Sequence, residues 1–215
     1  MLFFKDNTLK LTLPLWASED VKNKKCFTKY FLELYIKMDN KDFIVCILTK
    51  DNVASEIEKE RDKLLLIIPE LKAMIGFEHC HPHHHLNVWE HTLLALSHSK
   101  NQLKTRISLL LHDIGKPFCY QQDGEIRHYR GHGATSAELA KAILERLCFH
   151  MSFIDSITEI VRRHDEPLRE SDIAKAPELS REIFEVQRCD ALAHNPLYNE
   201  KRMAYIDKIN AMLNN

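Results

Sequence analysis

The sequence predicts a mainly helical protein carrying a small β-rich N-terminal extension. Two observations lead there. From Ser55 onward apolar residues recur at helical spacing between recognisable start and stop signals, whereas the first fifty residues alternate in the manner of strands. The composition supplies the third: 215 residues, 45% hydrophobic and 28% charged, suit one ordinary core with at most a small appendage, and neither a disordered nor a fibrous chain. Thirty Lys and Arg against 31 Asp and Glu leave a formal net charge of -1, so no global basic excess marks the chain as a nucleic-acid binder, although a local patch stays open.

Residues 1–52 are expected to form the extension. Leu9, Leu11 and Leu13 alternate with Lys10 and Thr12; Leu32, Leu34, Ile36 and Met38 share a face; Phe43 to Thr49 alternates again. Asp39-Asn40-Lys41-Asp42 between the last two segments is turn chemistry, so a small antiparallel sheet is preferred over a helix across residues 27–38, which Phe27, Tyr30, Phe31, Leu34 and Met38 also fit.

Residues 53–215 read as the helical domain. Ser55 followed by Glu58 has the form of a capping box ahead of Ile57, Leu64, Leu65 and Ile68, and Pro69 should kink or end that helix. Further helices are expected over 88–101 and 105–113, the second stopped by Gly115 and Pro117. Asp123-Gly124 between Phe118–Gln121 and Glu125–Tyr129 predicts a short hairpin. Helices over 135–148, 153–164, 179–193 and 198–213 follow, with Pro167, Pro177 and Pro196 in the gaps.

The six cysteines (Cys26, Cys46, Cys80, Cys119, Cys148, Cys189) form no C-x-x-C pair and are expected to be reduced, mostly buried thiols of a cytoplasmic protein. Lys5 and Asp6 interrupt the apolar start at once, so no signal peptide is expected, and the longest later apolar run, Leu64 to Ile68, is far too short to span a membrane.

Thirteen histidines are the conspicuous feature of the composition. In Leu109-Leu110-Leu111-His112-Asp113-Ile114-Gly115-Lys116-Pro117 an apolar helix ends in an imidazole and a carboxylate. Burying both is costly unless both are satisfied, and either a divalent cation or a plain His–Asp hydrogen bond at the helix end does so.

The surrounding elements resemble the HD-domain metal-dependent phosphohydrolases. The resemblance rests on Val88-Trp89-Glu90-His91-Thr92, His112-Asp113-Ile114-Gly115-Lys116, Gly131-His132-Gly133, Arg163-His164 and Cys189-Asp190, in that order. His84-His85-Leu86-Asn87-Val88-Trp89-Glu90-His91-Thr92-Leu93 and Asp190-Ala191-Leu192-Ala193-His194-Asn195-Pro196 bring it nearest to the HD domain of bacterial tRNA nucleotidyltransferases. It covers roughly residues 80–200, with Gly133 standing where that pattern carries an acidic residue, and it implies a stand-alone HD helical bundle.

Carried over, His91, His112, Asp113 and Asp190 would ligate one divalent ion, and His132 and His164 would complete a second site or act as phosphate-binding or acid–base groups. The metal expected is Mn, Ni, Co, Zn, Mg or Fe, with one or two ions per chain. Asp113 is the expected group for orienting or deprotonating water, and Lys116 is expected either to reach a phosphate oxygen or to be a solvated lysine at a helix end. His83, His84 and His85 form an expected substrate rim, His98 a solvated or capping residue, and His194 a cap or orienting group for the Asp190 helix.

The implied activity is hydrolysis of a phosphomonoester or phosphodiester, of phosphatase, 2'-nucleotidase or 2',3'-cyclic phosphodiesterase type. A small phosphate ester, chiefly a nucleotide, is the expected partner, an RNA end is a further candidate, and no membrane is. A di-iron oxygenase and a nucleotide or RNA-end sensor without turnover are the rival readings. The chain carries no Gly-rich phosphate loop and no G-x-S-x-G elbow.

Overall fold

Helical periodicity governs almost every residue of the computed structural model, which describes residues 36–37 and 39–214. Among them, residues 39–48 form α1, where strand Phe43–Thr49 was expected. Alternation and helical spacing overlap in this segment, and burial decides between them: Ile44, Ile47 and Leu48, at i, i+3 and i+4, are the buried set. The expected turn Asp39–Asp42 is helical instead. Residues 36–37 are helical as well, while the Leu9–Leu13 strand and the remainder of 27–38 lie outside the described residues.

Arg106, itself buried, fastens the end of α1. Its Nη1 donates to the carbonyls of Leu48 and Lys50, each at 2.7 Å, and to Asn101 Oδ1 at 3.2 Å, while Nε donates to Ser99 Oγ at 3.1 Å. A guanidinium thus answers helix-terminal carbonyls that would otherwise be orphaned away from water.

Helix α2 (Val53–Lys59) and α3 (Arg61–Ile67) follow, broken at Glu60. The expected capping box is absent: the helix starts at Val53 because Val53 and Ile57 are both buried one turn apart, which puts Ser55 inside it. Glu58 instead accepts from the buried Trp89 Nε1 at 2.6 Å. Pro69 ends α3 as expected and opens a 3-10 turn, Pro69–Met74.

Helix α4 (Val88–Ser97) is capped by Asn87, whose Oδ1 accepts from the Glu90 amide at 3.0 Å. It is followed by α5 (Leu103–Leu111), the short α6 (Lys116–Cys119) and a hairpin of β1 (Gln121–Asp123) and β2 (Ile126–His128) paired Gln121↔His128 to Asp123↔Ile126. The hairpin loop is Gly124-Glu125, Gly124 taking φ of 58°. Then come α7 (His132–Arg146), α8 (Met151–Arg163), α9 (Glu170–Lys175), α10 (Pro177–Ala193) and α11 (Glu200–Asn214). Helix α9, with no buried residue, had no apolar period to announce it.

Helix α10 is the central element, packing against α4, α5, α8, α9 and α11, while α7 and α8 pack on each other. The one face of α8 that carries Ile154, Ile157, Ile160 and Val161 is buried. Gly133 allows α7 to lie on the end of α8: a Cβ there would sit 2.6 Å from the Arg162 carbonyl oxygen. The histidine-rich loop before α4 is clamped from both sides. Arg127 N donates to the Cys80 carbonyl at 2.9 Å on the hairpin side, and Asn195 N donates to the His83 carbonyl at 2.9 Å on the α10 side.

The thiols correct another expectation. Cys46, Cys80 and Cys148 are exposed and, among the described cysteines, only Cys189 is fully buried. Cys80 and Cys148 sit in irregular segments at positive φ (47° and 57°), where the side chain is turned away from the packed elements. Among the described residues no helix is long and apolar enough to cross a membrane.

Candidate metal centre

The apolar run Leu109-Leu110-Leu111 buries the end of α5, and His112 and Asp113 go in with it, both completely shielded from solvent. Four helix ends and one helix interior meet there. His91 comes from the first turns of α4, His112 and Asp113 from the end of α5, His132 from the start of α7, His164 from the end of α8 and Asp190 from α10. Gly115 permits the turn after Asp113 to touch α7, since a Cβ on it would stand 2.7 Å from Ser136 N and 2.9 Å from the His132 carbonyl oxygen.

Each imidazole is tethered by Nδ1 to a main-chain carbonyl: His91 to Ala193 (3.2 Å), His112 to Leu109 (2.6 Å), His132 to Tyr129 (2.8 Å) and His164 to Val161 (2.7 Å). A carbonyl only accepts, so Nδ1 carries a proton and Nε2 is the ring atom left to face the centre. All four Nε2 atoms face carboxylates. His91 Nε2 is 2.8 Å and His112 Nε2 3.6 Å from Asp190 Oδ1; His112 Nε2 is also 3.3 Å from Asp113 Oδ2. On the other side of the same carboxylate, His132 Nε2 is 3.5 Å and His164 Nε2 3.6 Å from Asp113 Oδ1.

Imidazole nitrogens and carboxylate oxygens that converge in a buried space are satisfied by a shared proton or by a metal cation. His112 Nε2 and Asp113 Oδ1 are buried without a hydrogen-bond partner, the condition of atoms made to ligate. Among the described residues three sets of donors have atoms within 4.8 Å of one another: His91–His112–Asp190, Asp113–His132–His164 and, beside them, His84–His91–His194. Nitrogen and carboxylate donors held by carbonyl tethers suit a divalent transition ion, so the residues present fit one.

The electrostatics agree. Although burial opposes it, the positive charge of His112 and then of Lys116 holds Asp113 well below the usual carboxylate range, and His194 with His112 does the same for Asp190. Burial likewise opposes charge on His112, yet Asp113 and Asp190 push it up to about 10. At His91 and His132 burial prevails, and both are held at about 4. The field of two ionised carboxylates thus draws a proton onto one imidazole while its neighbours stay neutral, which is the charge balance of a seat for a cation.

Lys116 is not the solvated lysine that was one of its two expected roles. It is buried, with Nζ donating to Asp113 Oδ2 at 2.7 Å and 3.2 Å from His79 Nε2. The centre opens into a cleft of about 300 Å³ whose wall includes Asp113, Lys116, His132, His164 and Asp190. His83 and His84 belong to this wall; His85 is exposed and does not. The rim therefore narrows to two of the three expected positions.

The cleft also brings together contacts and cations that spacing along the chain did not indicate. His84 stacks on His79 (centroids 3.7 Å apart) and lies 4.4 Å from the ring of His194, whose Nε2 is 3.4 Å from Asp190 Oδ1. Burial, then Lys116 and the neighbouring imidazoles, keeps His84 strongly biased towards the neutral form, with a buried Nδ1 lacking a partner. Arg127, Arg130 and Arg202 add positive charge to the wall. Arg202 donates to Asp190 Oδ2 at 2.9 Å and to Asp165 Oδ1 at 3.0 Å. Nothing short of the fold could have found it, since it sits on α11, twelve residues beyond Asp190. His98, as expected, caps α4, and its carbonyl accepts from Arg188 Nη2 at 3.1 Å.

Residues 83–195 match the family model described as the HD domain. The chain is 38% identical over 119 residues to a CC-adding tRNA nucleotidyltransferase of Thermus thermophilus, covering 52% of this chain and 27% of that protein. It is 30% identical over 138 residues to a multifunctional CCA protein of an Azoarcus species (60% and 31%). An A-adding tRNA nucleotidyltransferase of Deinococcus radiodurans is 33% identical over 106 residues (46% and 24%). The match therefore spans between about a quarter and a third of the length of these relatives.

Proposed function

The chain belongs to the HD-domain family, and from that membership we propose that it hydrolyses phosphomono- or phosphodiesters of nucleotides with the help of one or two divalent ions. One observation carries the reading: four carbonyl-tethered imidazoles present their Nε2 atoms to Asp113 and Asp190, and two of the buried ligand atoms have no partner. His91, His112, Asp113 and Asp190 would hold the first ion. Asp113 through its other oxygen, with His132 and His164, would hold a second. Such an ion supplies Lewis acidity to a phosphate ester and acidity to water.

The chain's own residues supply the rest. Asp113, ionised and fixed by Lys116, is the acceptor that would orient an attacking water. The ammonium of Lys116 and the guanidiniums of Arg127, Arg130 and Arg202 face an anion entering the cleft. His132 and His164, with Nε2 atoms 3.0 Å apart, either complete the second ion site or hold the departing phosphate. The relatives are named as tRNA nucleotidyltransferases, which favours a nucleotide or an RNA end as the ester. A protein working on such substrates is expected in the cytoplasm.

The test is metal content per chain, followed by phosphate release from nucleoside monophosphates and 2',3'-cyclic monophosphates with Mn, Co, Ni, Mg and Zn. Hydrolysis with at least one of these ions is expected. Two irons per chain with oxygen uptake and no phosphate release would replace this reading by an oxygenase. Nucleotide binding without turnover under every metal would replace it by a sensor.

A further inference from the structure

A second cavity, of about 280 Å³, adjoins the metal cleft, and the two share His164, Asp165 and Arg202 in their walls. These three side chains stand at the border that the two cavities have in common. The far wall is apolar, supplied by Pro167, Tyr205 and Ile206, and the remaining rim is charged, with Glu166 and Lys201 beside Asp165. Tyr205 is rigidly placed: its hydroxyl donates to Gln187 Oε1 at 2.8 Å and accepts from Leu168 N at 2.9 Å. Gln187 in turn donates to the Glu166 carbonyl at 2.7 Å and the Arg163 carbonyl at 3.2 Å, so its amide is consumed by the frame. Arg202, pinned between Asp190 and Asp165, stands at the junction of the two spaces.

We propose that this second cavity seats the base of a nucleotide whose phosphate lies in the metal cleft, with Tyr205 and Arg202 as its principal contacts. The inference rests on the phosphohydrolase reading and adds the part of the substrate that the metal does not touch. An apolar wall beside a phenol ring and a guanidinium is the surface on which heteroaromatic rings pack, and the charged rim offers both donors and acceptors to a base edge. A second phosphate would meet the carboxylates of Asp165 and Glu166, and an alkyl chain would leave that rim unanswered.

Calorimetric titration of the Mn-loaded protein with a nucleoside monophosphate and with ribose phosphate, which lacks the base, tests it. The nucleotide is expected to bind about tenfold or more tightly. Tyr205→Ala should remove most of that preference, Tyr205→Phe should retain it, and ribose phosphate should bind all three proteins alike. Should Tyr205→Ala fail to fold, Pro167→Trp, which narrows the cavity from its exposed edge, should weaken nucleotide binding alone. Equal affinity for the two ligands, or a preference surviving both Tyr205→Ala and Pro167→Trp, overturns the base site. Ester hydrolysis without base preference sinks this inference and leaves the hydrolase reading standing; base preference without hydrolysis does the reverse.

Discussion

Replacing Asp113 by Asn keeps the shape of the side chain and deletes the charge on which the centre turns. In the metal-free protein the variant leaves Lys116 buried, its Nζ 2.7 Å from an amide oxygen instead of a carboxylate. The ammonium keeps a hydrogen bond to the amide oxygen but loses the opposite charge that offset its burial. Stranding a buried charge costs roughly 3–5 kcal/mol when its partner is removed outright, and the retained hydrogen bond places this case at the low end. His112, whose high pKa depends on Asp113, adapts by releasing its proton, so the cost falls on Lys116. We expect a loss of about 3 kcal/mol, or a Tm lower by roughly 6–12 °C for a domain of this size. Unfolding in the presence of a chelator measures it. The double variant Asp113→Asn/Lys116→Met should recover most of the loss, because no unpaired ammonium remains. Both variants should retain little metal after dialysis and show no turnover. An Asp113→Asn protein as stable as the parent, or one that keeps its ion and its activity, refutes the reasoning.

Four further outcomes follow from the same geometry. His91 and His132 are held at about 4 against ~6.5 when unfolded, so the unfolded chain takes up protons that the folded one refuses as pH falls through that window. His112, raised to about 10, contributes stability that is already nearly complete at neutral pH, and it offsets little. The metal-free protein should therefore lose about 3 kcal/mol between pH 7 and pH 5, and a flat denaturant midpoint across that range would contradict it. Gly115→Ala pushes a methyl group to 2.7 Å from Ser136 N and disrupts the 2.9 Å bond from Gly115 N to Ser136 Oγ; about 2–4 kcal/mol of destabilisation is expected by chemical unfolding, with weakened metal retention. Arg106→Met removes four hydrogen bonds, two at the end of α1 and two to the segment after α4, and should cost about 3 kcal/mol while leaving metal content unchanged, so loss of metal in the folded variant would argue against a purely structural role. His85→Ala should leave kcat/KM unchanged, whereas His84→Ala, in the cleft wall, should lower it; equal effects would restore His85 to the rim.

The sequence revealed the centre better than it revealed the fold's edges, for a physical reason. His91, His112, Asp113, His132, His164 and Asp190 are chemically unusual in apolar helical settings, and the fold brings all six together. Helix α1 was misread because Phe43–Thr49 satisfies a period of two as well as one of 3.6, and only the partners of Ile44, Ile47 and Leu48 distinguish them. Ser55 and Glu58 matched a local capping rule that lost to the burial of Val53 and to a distant acceptor demand, that of Trp89. Lys116 looked equally suited to water until the hairpin and the histidine-rich loop closed over it. Arg202 and the second cavity exist only through the docking of α11, a contact that no spacing along the chain encodes.

The four carbonyl tethers also set an order of assembly. For His112, His132 and His164 the carbonyl lies three residues back in the same turn, so each helix end fixes its own tautomer as soon as it forms. His91 is different: its carbonyl, Ala193, is 102 residues away. Three ligands are thus prepared locally and the fourth only when α4 meets the end of α10. The set that includes His91 is therefore complete only once α4 has met the end of α10.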